Sequence, residues 1–316
     1  MSPAARHVDV KRVEERAPIP NWFGVGGPAD RLVRPESIDD LRTCLRMDSN
    51  LRVLGDGANI LVDDAGVREL VVSLSREAFT GISTDHRNGR VVAGAGAKLP
   101  RLIKEAAAAG LAGLEALGGI PATVGGAAVM NAGGRFGELA RSVRCVHALD
   151  RAGNPLTLSQ ADCRFAYRSS ALGARNLIVT AVEFELTPED PEAVRARLAE
   201  VMDYKAQSQP PGRHSAGCCF KNPTLAAPLE GIGDAGQRIS AGLLIDRAGC
   251  KGQAIGGACV SDLHANFFTT RAGCRARDVM DLIEEVQRRV LETFGVHLEP
   301  EVVIWKRTTP IEDMAR

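Results

Sequence analysis

The chain has 316 residues, 45% of them hydrophobic, with 39 basic against 39 acidic side chains and only 4% aromatic. That is enough apolar material for two or three packed domains. Balanced charge and scarce rings exclude a general nucleic-acid binder, which needs a basic face and stacking platforms. No apolar run approaches the roughly 18 residues that span a bilayer, so no membrane partner is expected. The charged opening "MSPAARHVDVKRVEERAPIP" lacks the apolar segment of an export signal. Cysteines fall at 44, 145, 163, 218, 219, 250, 259 and 274 without a C-x-x-C pair. That spacing points to reduced thiols in a cytoplasmic protein and to no metal site.

In chain order, "ADRLVRP" reads as a strand, and "SIDDLRTCLRM" as a helix with Ser37 as N-cap and Asp40 at the capping-box position. Apolar runs at 51–54, 60–62 and 69–74 are too short for helices and are bounded by turn residues. "RVVAGAGAKLPRLIKEAAAAG" gives strand, turn and helix, with Pro100 near the first turn and Gly110 as the stop. Residues 110–134 read as one long glycine-rich loop. β-rich stretches at 141–158 and 177–187 bracket "CRFAYRSS", and a helix spans about 190–206. "QSQPPGRHSAG" then reads as a Pro/Gly hinge and domain boundary. Beyond it come a short helix from Ser240 to Gly249 and strands near 252–260 and 266–270. An amphipathic helix over about 276–294, stopped by Gly295, and the strand "EVVIW" close the chain.

Three loops concentrate glycine: "FGVGGPA" at 23–29, "LGDGANILV" at 54–62 and "GLEALGGIPATVGGAAVMNAGG" over 111–134. Such loops let successive backbone N–H groups converge on an anion where a side chain would block approach. They do not make a Rossmann site. "GVGGPA" leads through Pro28 into a strand rather than a helix, "GAGAKL" lacks the third glycine, and no G-K-[ST] is present.

Together, "NWFGVGGPA", "LGDGANILV", "GGIPATVGGAAVMNAGG", "FAYRSS", "AGCCFKNP", "HANFF" and "LEPEV" resemble, in this order, the UDP-N-acetylenolpyruvoylglucosamine reductases. These flavoenzymes act in peptidoglycan synthesis. The resemblance covers roughly 20–305. It implies an α+β chain: a vanillyl-alcohol-oxidase-type FAD-binding domain of two α/β subdomains, plus a smaller α/β substrate domain. The expected boundaries are a leader at 1–19, FAD subdomains at 20–80 and 81–206, a substrate domain at 207–300 and a closing strand and tail at 301–316. Non-covalent FAD, NADPH as co-substrate and a UDP-sugar substrate are implied; the oligomeric state stays open.

Site residues follow from the same resemblance. Gly55, Asp56, Gly57, Ala58, Asn59 and Ile60 match the loop that cradles the flavin diphosphate. Gly119, Ile120, Pro121, Thr123, Gly125, Gly126 and Ala127 match the second flavin loop, with Asn131 and Gly133 close by. Arg168 matches the catalytic arginine, and a guanidinium fork suits the negative charge that builds toward a carboxylate. Glu301 matches the catalytic glutamate, although Glu299 points to the same strand face and spacing alone does not separate them. Cys218 stands where the family's "G-S-x-F-K-N-P" has its proton-donating serine. A thiol with a reference pKa near 8.5 is protonated at neutral pH and can donate. Cys219 reads as a buried small residue. A His214–Cys218 hydrolase dyad is disfavoured by its place on a Pro/Gly turn. Tyr167, Lys221, Asn222, Asn266, Arg213 and His264 match substrate contacts. The alternatives are another FAD-dependent oxidoreductase on the same cofactor fold, or a non-catalytic nucleotide-sugar or flavin binder.

Overall fold

The structure is a computed structural model and describes residues 12–210 and 214–307. Its contacts divide the chain into two compact units. One holds the described residues up to Ala17 together with Ala29–Asp56 and Glu69–Lys205; the other holds Pro18–Pro28, Gly57–Arg68 and the described residues from Ala206 onward. Two segments expected in the first flavin subdomain therefore group with C-terminal residues.

The first unit contains a four-stranded and a five-stranded sheet, beside two short two-stranded ones. In the four-stranded one, Glu14–Ala17 runs antiparallel to Ala29–Val33, and Val71–Ser73 lies between Ala29–Val33 and Arg52–Leu54, parallel to both. The five-stranded sheet is antiparallel throughout, in the order Pro155–Ser159, Val143–Leu149, Ile178–Glu185, Arg90–Gly94, Ile82–Asp85. Helix Ile38–Met47 begins at Ser37, whose hydroxyl accepts from Asp40 N at 3.0 Å. Asp40 returns its carboxylate to Glu36 N, one residue ahead of the cap, so the capping box is shifted by one position. Helix Leu99–Ala108 carries Pro100 in its first turn, where a missing N–H costs nothing. Gly110 beyond it has φ +68°, and a Cβ there would lie 2.5 Å from Glu189 O.

The stretch 110–134 is not a single loop. It contains helix Val124–Val129, with Thr123 as N-cap accepting from Gly126 N at 3.3 Å. Its six residues, VGGAAV, are all small or β-branched and hide that helix from periodicity. Phe79, Phe184, Leu41 and Leu102 lie at the centre of this unit, all fully buried.

In the second unit, Ala254–Ile255, Ala258–Val260 and Phe268–Thr270 form an antiparallel sheet beside helix Ala276–Phe294. That helix buries Val279, Leu282, Ile283, Val286 and Val290, a 3–4 spaced stripe. Its end is set by Gly295 at φ +68°, and the Asp64 carboxylate accepts from Ala276 N and Arg277 N at its start. Ile60–Val62 pairs in parallel with Val303–Trp305, which joins the 57–68 segment to the chain's last described strand. Phe220 and Phe268 meet edge to face, ring centroids 5.9 Å apart, in a core shared with Phe23 and Leu61.

Candidate active site

Chemistry-bearing residues gather separately in each unit. In the first, Gly55 faces Thr123: a Cβ on Gly55 would come within 2.8 Å of Thr123 Oγ1. Asp56 pairs with Lys98, which itself bridges to Thr123. Among the described residues of this unit, the backbone N–H groups of Gly55, Asp56, Gly119, Ala122 and Thr123 have no hydrogen-bond partner. Amides left open in this way can serve an anion such as a diphosphate. In the second unit, Gly57 has φ +68° with a would-be Cβ 2.2 Å from Pro20 O, so no other residue holds this turn.

The helix at 124–129 behaves differently from the sequence expectation. Gly125 N donates to Ala95 O, Gly126 N to Thr123 Oγ1 and Ala127 N to Thr123 O. These three amides donate to partners inside the protein. Gly125 serves packing instead, since a Cβ there would meet Ala95 Cβ at 2.8 Å. Gly133 closes a hairpin against Glu138, where a Cβ would lie 2.6 Å from Gly137 O. Ile120 and Pro121 are half-buried beside this loop.

Arg168 sits on a two-residue turn. Ala166 and Ser169 exchange backbone hydrogen bonds of 3.0 and 3.1 Å, which puts Tyr167 and Arg168 at the apex. Arg168 adopts φ +53°, and its guanidinium carbon lies 5.1 Å from the Tyr167 ring centroid. Asn131 is fully buried at φ +44° and holds the turn: its Nδ2 donates to Ala166 O at 3.1 Å while its Oδ1 accepts from Ala140 N at 3.0 Å. Expected to contact flavin, its amide is engaged at both ends by backbone. Ser170 Oγ adds a 2.7 Å bond to Val129 O.

In the second unit, the extended segment Cys218–Phe220 lies between two others: Cys218 bridges Phe267 and Phe220 bridges Pro300. Cys219 N donates to Asn266 O at 2.8 Å, and Glu301 N donates to Cys219 O at 2.7 Å. Asn266, 2% exposed, clamps the segment: Oδ1 accepts from Phe220 N at 2.9 Å and Nδ2 donates to Phe220 O at 2.8 Å. Cys218 is half-buried, whereas Cys219 is fully buried, which drives its thiol pKa far up. Asn59 Nδ2 donates to Glu301 O at 3.1 Å, so Asn59 helps to fix Glu301. Glu299 turns to the surface and pairs with Lys221 at 2.5 Å. Asn222 Oδ1 accepts from Ala241 N, at the start of helix Ala241–Arg247. His264 Nδ1 accepts from Asn266 N, and burial pushes the ring's pKa down. Arg213 lies outside the described residues. Gly57, Ala58 and Ile60 share this unit with Glu301.

Residues 209–305 match the family described as UDP-N-acetylenolpyruvoylglucosamine reductase, C-terminal domain, and residues 29–159 match an FAD binding domain. The reductase of Desulfosudis oleivorans is 40% identical over 294 residues, covering 89% of this chain and 90% of its own. The chain belongs to the UDP-N-acetylenolpyruvoylglucosamine reductase family. A Bradyrhizobium reductase is likewise 40% identical, over 92% of this chain. The crystal structure of the reductase from Thermus caldophilus matches with a TM-score of 0.77 at 40% identity, covering 93% of this chain and 99% of that one. 6-hydroxy-D-nicotine oxidase from Arthrobacter nicotinovorans, 14% identical with a TM-score of 0.56, shares the fold alone. The fold is thus α+β with an FAD-binding domain of the vanillyl-alcohol-oxidase type, and the chain is an FAD-dependent oxidoreductase that reduces an enolpyruvyl UDP-sugar.

Sequence reading missed Lys205. Its amine donates to Gly118 O, its stem lies 3.0 Å from where a Gly119 Cβ would be, and burial followed by the nearby Arg168 charge lowers its pKa to about 8. The signal was present: Val194, Leu198 and Val201 form the packed stripe of helix Pro191–Ser208, and residue 205 continues it one turn on.

Proposed function

We propose that the chain uses NADPH to reduce the enolpyruvyl group of UDP-N-acetylglucosamine-enolpyruvate to UDP-N-acetylmuramate for peptidoglycan, with Arg168, Cys218 and Glu301 handling charge and proton. In this reading residues 20–206 hold the flavin and 207–300 the UDP-sugar. FAD, which the loops at 55–59 and 119–123 would help to hold, would supply the two-electron redox chemistry between NADPH and the enolpyruvyl double bond. Charge then builds toward the substrate carboxylate, where the Arg168 guanidinium stabilises it and Glu301 assists. The Cys218 thiol gives its proton to the adjacent carbon, and the thiolate regains one from solvent. Tyr167, Lys221 and Asn222 bind the UDP-sugar.

The observation that carries the reading is the clamped segment Cys218–Phe220, whose Cys219 carbonyl accepts from Glu301 N at 2.7 Å. That bond keeps the thiol-bearing residue and Glu301 in adjacent positions of one unit. The surface ion pair of Glu299 with Lys221 supports Glu301, rather than Glu299, as the acting carboxylate. Both substrates are cytoplasmic nucleotides, which supports a cytoplasmic location; no helix among the described residues is long and apolar enough to cross a membrane. The test is an anaerobic absorption spectrum. Yellow protein should be bleached by NADPH and regain colour on adding the enolpyruvyl UDP-sugar. Protein that bleaches but stays bleached with this substrate overturns the proposal.

A further inference from the structure

On the five-stranded sheet, Cys145, His147 and Glu183 converge. One ligating atom from each lies within 4.8 Å of the others, and all three residues are half-buried. Register brings them together. Cys145 and His147 alternate with Val146 and share a sheet face, and Glu183 stands directly opposite Cys145 on the next strand. His147 Nε2 lies 2.9 Å from Glu183 Oε1, and its Nδ1 lies 3.1 Å from the hydroxyl of Thr157, its partner on the other neighbouring strand.

We propose that this cluster binds a borderline-soft divalent cation, zinc by its ligand chemistry. Thiolate, imidazole and carboxylate are zinc's three protein donor types, and the sulfur disfavours magnesium, calcium and manganese. Zinc bonds of about 2.0–2.3 Å in a tetrahedron set donors roughly 3.3–3.8 Å apart, so the present spread closes with small side-chain rotations. Three protein donors leave the fourth position to solvent. Thr157 supplies the outer contact: with Nδ1–H directed to its hydroxyl, the imidazole offers its Nε2 lone pair to the metal. On binding, the thiol proton passes to solvent and the cation replaces the His147–Glu183 hydrogen bond. Arg144 Nε, 3.8 Å from Glu183, competes for the same carboxylate and makes this a weaker site than a four-cysteine one. The expectation of no metal rested on linear C-x-x-C spacing, whereas these donors come from two strands 36 residues apart.

The experiment takes the full-length protein, stripped with a chelator, and titrates it with zinc against a chromophoric competitor, then with cobalt(II). One zinc per chain should bind. Cobalt should give a thiolate charge-transfer band, read as wild type minus Cys145→Ser so that flavin absorption cancels. Cys145→Ser should weaken zinc at least tenfold, and Thr157→Val by about tenfold. Cys259→Ser, another half-buried thiol, should change neither. Zinc should also shield Cys145 from alkylation. Zinc binding unchanged in Cys145→Ser, cobalt binding without the thiolate band, or no binding with zinc in excess would each overturn the proposal.

Discussion

Asn131→Ala isolates the support beneath Arg168. The asparagine makes two hydrogen bonds from a fully buried position, to Ala166 O and from Ala140 N. Alanine leaves Ala140 N without its partner, at about 1–3 kcal/mol, and removes one of two hydrogen bonds from Ala166 O, which keeps Ser169 N, at about 0.5–1.5 kcal/mol. It must also adopt the φ of +44° that asparagine tolerates, for roughly another 1 kcal/mol. The expected loss is therefore about 2.5–5.5 kcal/mol of unfolding free energy, read from urea melts. Asn131→Asp keeps an acceptor for Ala140 N but sets a buried carboxylate against Ala166 O, so at neutral pH it should lose about as much as alanine. Because Ala166 anchors the turn that presents Arg168, both variants should slow flavin reoxidation by the UDP-sugar, with loosened geometry worth about 100-fold. Flavin affinity should stay near wild type, whereas a direct flavin contact would make affinity fall first. Wild-type urea midpoints together with wild-type reoxidation in both variants would refute the clamp.

Cys218→Ala should still allow NADPH to bleach the flavin but block reoxidation by substrate, while Cys218→Ser should retain substantial turnover; stopped-flow absorbance separates the two steps. Gly57→Ala forces a Cβ to within 2.2 Å of Pro20 O at φ +68°. It should cost more than the roughly 1–2 kcal/mol of a left-handed alanine and reduce bound flavin in the purified protein. Lys205 has its folded-state pKa lowered to about 8, first by burial and then by Arg168. Above that value the unfolded chain holds more protons than the folded one. Stability relative to Lys205→Met should therefore rise from pH about 8 toward the free lysine value near 10.4. A flat difference between the two denaturation profiles across that window would contradict the burial of this amine.

Local chemistry was readable where a cap or stop residue declares itself. Ser37, Pro100 and Gly295 marked helix ends found in the structure. Helix Val124–Val129 escaped because glycine and alanine give it no apolar stripe; Thr123 was its one local sign. Ordered motifs named the candidate site residues, but a motif does not tell a ligand contact from scaffolding. Asn131 and Asn266 both read as ligand-facing, and both spend their amides on backbone two residues or fewer from a candidate catalytic position. Only three-dimensional partners reveal that difference. The grouping of 57–68 with C-terminal residues was equally hidden, since parallel strand pairing leaves no trace in the periodicity of either partner.

The pairing of Ile60–Val62 with Val303–Trp305 has a temporal consequence. A ribosome makes the first of these strands more than two hundred residues before the second. Loop-closure entropy on that scale delays such contacts, and exposed strand edges invite association while they wait. Nascent chains stalled just short of Val303 should therefore leave Asn59 and its neighbours sensitive to protease. Release of the final strand, rather than emergence of the glycine loop, should mark when the flavin grip is completed.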